Sequence, residues 1–294
     1  RPARASAPPG PPAEEFRVAN GRATWKTAND AGEAAAGGWY IPAGGVGIAN
    51  APLMDALAAA GDAGLNFLPS GKGRMTFGPV QTIQGPGGPK KVQLAFVSGI
   101  LPSPLPVWLD ENKRYFADIS YISVIPAGYE GALKQLRNAQ EGATAEAVAG
   151  IAKRFLSAAA KAPVLFDNVQ LFDADRGAFL PARAVLAQGG KIAAIGAAGS
   201  LKAPAGAQVI DGRGKTLVPG IWDSHLHIGD DWDVLSNMAN GITSFRSPGT
   251  TFDRAVEATK RRAEGSLLMG EPFISVIIDK KDPLAAQGSE VVSS

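Results

Sequence analysis

VPGIWDSHLHIG, Val218 to Gly229, carries His225 and His227, the only two histidines in a chain of 294 residues. Side chains alternate between faces in an extended strand, so Asp223, His225 and His227 are expected on one side and Trp222 on the other, packed against helices. Two imidazoles at i and i+2, preceded by a carboxylate, can grip one divalent metal from the end of a strand. Imidazole suits zinc, iron, nickel and manganese alike, with zinc as the first expectation. Taken alone, a His-x-His pair more often marks two ordinary histidines on a half-buried strand.

The flanking sequence changes that balance. VLFDNVQLFDADRG begins at Val164, GGKIAAIG at Gly189 and VIDGRGKTLVPGIWDSHLHIG at Val209, and NGITSFRSPGT runs from Asn240 to Thr250. In this order and spacing the pieces resemble the start of the amidohydrolase superfamily, whose members include imidazolonepropionase-like and prolidase-like enzymes. The resemblance implies a small β-domain followed by a (β/α)8 barrel. IWDSHLHI would be the first barrel strand, DDWDVLSNMAN the first helix or helical loop and GITSFRS the second strand. FDRAVEATKRRAEG would be the second helix and EPFISVIID the third strand. A whole barrel takes about 250 residues, so Gly220 to Ser294 holds at most the first three βα units.

By the same resemblance, a bound metal acidifies a water molecule and polarises the scissile carbonyl. His225 and His227 match the ligand pair of the first strand. The other ligands and an aspartate that shuttles protons would come from later strands, and no third histidine substitutes here. Two imidazoles fall short of the three protein ligands typical of catalytic zinc. The chain alone is therefore expected to be inactive and to need the remaining barrel, from a second chain or a missing C-terminal part. Asp223 is assigned either to supporting a ligating histidine or, equally, to bonding backbone or a basic partner in the barrel floor. Arg246, near the end of the second strand, is assigned either to a substrate carboxylate or, more readily, to a structural ion pair.

Composition sets the outer limits. Apolar residues make up 45% and charged residues 19%, with a formal net charge of +2. These values describe a globular protein with no electrostatic case for nucleic acid and no apolar run that spans a membrane. With no cysteine, disulfides, thiolate metal sites and cysteine nucleophiles are excluded. The Pro/Ala-rich residues 1–15 cannot build a core and read as a disordered tail of the kind that follows a removed export signal. A periplasmic or secreted home is the expectation.

Residues 16–125 show short β-rich runs broken by Gly and Pro, with one Ala-rich helix at 51–64 and a tight turn in GPGGPKK at 85–91. They predict a mostly antiparallel α+β domain. PSPLPVWLDENKRYFA within it resembles the N-terminal region of some exported bacterial amidohydrolases, and the pattern is similar to curved-sheet periplasmic lipid carriers. Residues 126–161 read as two helical stretches forming a connector. Residues 162–218 read as the small β-sandwich part, with a hairpin at Gly189–Gly190 and an exposed edge, and residues 219–294 as barrel strands one to three.

The reading is thus the N-terminal part of a metal-dependent hydrolase of an amide, cyclic amide or peptide-like C–N bond, with a small-molecule or peptide-like substrate and room for a homo-oligomer. The alternative is a non-catalytic periplasmic binding protein whose N-terminal sheet holds an apolar ligand or partner. Nucleotide loops and a nucleophile elbow are not found.

Overall fold

The computed structural model describes residues 14–43, 51–120, 123–156, 162–281 and 290–291. Most of the expected tail and most of the last fifteen residues lie outside them. The chain divides into two compact units, Arg1–Ala143 and Thr144–Ser294.

The first unit opens with a meander of β1 (Glu15–Ala19), β2 (Arg22–Lys26) and β3 (Ala31–Ala35). Asn20 and Gly21, both with positive φ, make the first turn, the chemistry a two-residue hairpin demands. A six-stranded sheet follows in the order β4 (Trp39–Tyr40), β5 (Leu65–Leu68), β6 (Lys72–Gly85), β7 (Gly88–Ser98), β8 (Leu105–Asp110) and β9 (Tyr115–Ala117). All its pairings are antiparallel except that of β4 with β5. Gly85 pairs with Gly88 at the tip of the β6–β7 hairpin, inside the expected turn.

Alternation along β7 and β8 sends apolar side chains to both faces of this sheet. Ala95, Val97, Val107 and Leu109 join Leu53, Met54 and Leu57 of helix α1 (Ala51–Ala60) in one core. Val92, Leu94 and Trp108 join Leu136 in the other. Leu136 belongs to α2 (Leu133–Phe155), a single helix that runs through Gly142. The two separate helical stretches read from the sequence are thus one in the structure. A glycine in a helix costs only about 1 kcal/mol, which burial of the Leu136 stripe offsets. The first half of α2 is therefore core to the first unit, and the sheet carries a helix on each face where the sequence suggested one.

The second unit contains a mixed sheet in the order β12 (Lys191–Ala197), β11 (Ala178–Gln188), β10 (Val164–Asp173) and β13 (Gln208–Asp211), with β14 (Thr216–Leu217) also paired to β10. Gly189 and Gly190, both at positive φ, turn β11 into β12. The described residues of this part form one five-stranded sheet. Phe179, Ile192, Ile195 and Val209 remain more than half exposed.

Three parallel strands follow in the order β15 (Ile221–Asp223), β16 (Ile242–Ser247) and β17 (Glu271–Ile274). Helices α3 (Asp231–Ala239) and α4 (Phe252–Ala263) alternate with them along the chain. Leu226, Ile228, Val234, Phe245, Ala258, Leu267 and Met269 pack with Val148 as the core of this part. EPFISVIID is not one strand. After Ser275 donates its N–H to the carbonyl of Ser247 the ladder ends, and β18 (Ile278–Asp279) pairs in parallel with β19 (Glu290–Val291). Trp222 also departs from expectation: half exposed, it meets Phe273 of β17 with ring centroids 4.7 Å apart.

Candidate metal site at the end of the first parallel strand

Strand β15 stops at Asp223, two residues before the first histidine. Strict strand alternation from Asp223 is therefore not what positions the pair. The Asp223 carboxylate instead accepts the backbone N–H of His225 at 2.9 Å, a local turn of the kind aspartate favours. It bonds backbone rather than an imidazole.

Beyond this turn an alternating pattern resumes. Leu226 and Ile228 are buried, 8% and 6% exposed, in the core under α3 and α4. Their burial points the side chains between and before them outwards, and both histidines are exposed. The N–H of Leu226 bonds the carbonyl of Arg246, tying the segment to β16. His225 Nε2 and His227 Nε2 converge to 3.3 Å, with the ring planes inclined at 66°.

This geometry fits one shared cation. With zinc–nitrogen distances of roughly 2.0–2.1 Å, nitrogens 3.3 Å apart subtend about 107° at the ion, close to a tetrahedral angle. Two exposed imidazoles without a deeper hydrogen-bonding role supply the donor chemistry for it. Among the described residues no group of three or more His, Cys, Asp or Glu side chains gathers to complete a site.

A bed of side chains supports the pair from α3, α4 and the β16–α4 loop, and the sequence reading missed it. The Thr250 hydroxyl accepts the N–H of Ile228 at 3.3 Å and is itself bonded to the buried Ser247 hydroxyl. Gly249 lies under His227. Arg254 Nε donates to the carbonyl of Gly229 at 3.0 Å, and Arg254 Nη2 donates to Asp231 Oδ1 at 2.9 Å. Arg261 pairs with the other oxygen of Asp231 at 2.6 Å. These contacts span many residues in sequence, so no local spacing announces them. The signal available was an acidic run, Asp230, Asp231 and Asp233, matched by Arg254 and Arg261 one helix later.

Asp230 caps α3, accepting the N–H of Asp233 at 3.0 Å. Burial and then the neighbouring Asp233 carboxylate push its pKa up to about 6, against the cap bonds that lower it. Arg246 lies exposed on β16, with no ion pair among the described residues, so the structural pairing proposed for it finds no partner there.

No family model matches the chain. It is 30% identical over 131 residues to an N-substituted formamide deformylase of Arthrobacter pascens, covering 42% of this chain and 23% of that protein. It is 34% identical over 98 residues to an imidazolonepropionase of Anaeromyxobacter dehalogenans, covering 31% and 22% respectively. It is 44% identical over 69 residues to a deacetylase of Agrobacterium fabrum, covering 23% and 16%. Among solved structures, bottromycin amidohydrolase overlaps with a TM-score of 0.38 at 19% identity, covering 51% of this chain and 31% of that one. A prolidase complexed with N-methylphosphonate-L-proline gives 0.36 at 20% identity, covering 45% and 41%.

The three curated relatives point to the amidohydrolase superfamily, over part of the chain. The chain spans less than a quarter of the length of the curated relatives it matches.

Proposed function

We propose that this chain is the N-terminal portion of a metal-dependent amidohydrolase acting on an amide, cyclic amide or peptide-like C–N bond. The observation that carries the reading is the convergence of its only two histidines to 3.3 Å beyond the end of a parallel strand. In this reading β15, β16 and β17 are the first three strands of a (β/α)8 barrel, whose active sites sit at the strands' C-terminal ends.

His225 and His227 would hold a divalent ion, zinc in the first instance. When bound, such an ion supplies an acidified water near neutral pH and polarisation of the scissile carbonyl. The chain's own residues prepare that site. Asp223 fixes the His225 backbone through its accepted N–H, and Leu226 and Ile228 anchor the segment so that both rings face outward. Arg246, carried on the neighbouring strand and unpaired among the described residues, is available to a substrate carboxylate. Completing the coordination needs ligands beyond these two imidazoles, so hydrolysis requires polypeptide in addition to the pair.

The alternative, a carrier in which the first unit holds an apolar ligand, has less support. Apolar residues of both faces of its sheet pack against α1 and α2, and the groove on it is lined by Lys91, Gln93, Asp110, Glu111 and Lys113 beside Val80 and Val92. Metal analysis after dialysis against zinc tests the proposal. One equivalent retained by the parent and lost in His225→Ala and His227→Ala supports it, whereas equal retention in all three proteins overturns it.

A further inference from the structure

We propose that Arg254 is a positioning residue for the histidine pair, acting through the Gly229 peptide. The inference rests on the metal-site reading and names the device that sets its geometry. His227 and Gly229 form one tight turn, in which the Gly229 N–H bonds the His227 carbonyl at 3.1 Å. The far side of the same glycine, its carbonyl, is the group that Arg254 Nε holds. The His227 backbone and the atom gripped by the guanidinium thus belong to one hydrogen-bonded turn.

The guanidinium is itself immobilised. Its second donor is committed to Asp231, whose side chain is 5% exposed and whose other oxygen takes Arg261. Arg254 and Arg261 are 20% and 14% exposed, and Glu257 lies 3.8 Å and 3.5 Å from them. A planar fork with two fixed donors transmits orientation in a way that a flexible lysine ammonium does not. A Cβ at 229 would displace the Asp233 carboxylate, which lies against this glycine. The turn is thus closed in by Asp233 and held by Arg254, and α4 reaches the histidines without touching either ring.

With only two histidines, the ring signals of the uniformly 15N-labelled chain can be followed one by one. Spectra of the parent, Arg254→Ala and Arg254→Lys are recorded without metal and during titration with Zn2+ alone. Arg262→Ala, on the same helix but bonded to Met269 and Glu271, controls for general loosening of α4. The expected result is displaced His227 ring signals in both Arg254 variants without metal, and Zn2+ affinity about 10-fold weaker or more, with Arg262→Ala unchanged in both.

Folded Arg254→Ala or Arg254→Lys with the parent's ring signals and Zn2+ affinity within about twofold of the parent's would overturn the positioning role. Should Arg254→Ala not fold, Arg254→Lys, which keeps the charge beside Asp231, decides alone. A parent whose rings ignore Zn2+ sinks the metal reading instead, and the metal-free ring signals still decide whether Arg254 positions the pair.

Discussion

Gly249 lies directly against the imidazole of His227: a Cβ built at 249 would meet His227 Cε1 at 3.2 Å and Ile277 Cδ1 at 3.1 Å. Both distances are tighter than ordinary contact, so a side chain there must move the ring or the loop. A side chain at 249 would press on the same ring that makes the 3.3 Å approach to His225 Nε2. Gly249→Ala is expected to weaken Zn2+ binding about tenfold, as disturbance of the groups that orient a ligand commonly does, and Gly249→Val to weaken it further. Competition with a chromophoric chelator measures both, and unchanged affinity in Gly249→Val would refute the contact.

Asp230 makes stability depend on pH. Its folded pKa, raised to about 6 from 3.8 mainly by burial and then by Asp233, means that the native state holds its proton more tightly than the unfolded chain does. Its contribution is fully present below about pH 4 and is lost as pH rises through about 6. Asparagine caps a helix as well as aspartate does and cannot ionise. Asp230→Asn should therefore match the parent near pH 4 and exceed it above pH 6, by on the order of 2 kcal/mol. Thermal unfolding from pH 4 to pH 8 measures the gap, and a gap that narrows with rising pH contradicts the assignment.

Asp231 is the shared partner of two largely buried guanidinium groups. Removing its charge leaves both with only the exposed Glu257 as counterion, and breaking a buried pair in this way costs about 3–5 kcal/mol. Asp231→Ala should show that loss in urea unfolding of the second unit. A cost under about 1 kcal/mol would place the ion cluster among the weak surface pairs.

Leu136 of α2 is fully buried against the second face of the six-stranded sheet. Leu136→Ala should destabilise the first unit by about 2–5 kcal/mol, reported by fluorescence of the buried Trp108, whose Nε1 donates to Gln140 of the same helix at 3.3 Å. If α2 were only a connector, the substitution would leave that transition in place.

The parts legible in the sequence are those that short-range chemistry dictates. The Gly189–Gly190 hairpin, the Gly85–Gly88 turn and the helix at Ala51–Ala60 all follow from local residue types. The histidine pair was visible because its members are two residues apart and alone in the chain. What stayed hidden depends on tertiary contact. Residues 126–161 read as two helical stretches, yet packing of Leu136 carries α2 through Gly142 as one helix. Trp222 found Phe273 across β16, a meeting decided by strand order. The Arg254–Asp231–Arg261 cluster joins α3 to α4, and nothing local to any of the three residues marks it. Alternation places Asp223 with the two histidines, yet its strand ends at that residue.

The most direct test of the central claim is zinc K-edge X-ray absorption on the chain loaded with one equivalent of Zn2+. The account predicts two imidazole nitrogens in the first shell at roughly 2.0–2.1 Å, with their outer-ring scattering lost stepwise in His225→Ala and in the double variant. A shell of oxygen scatterers alone, unchanged by either substitution, would contradict it.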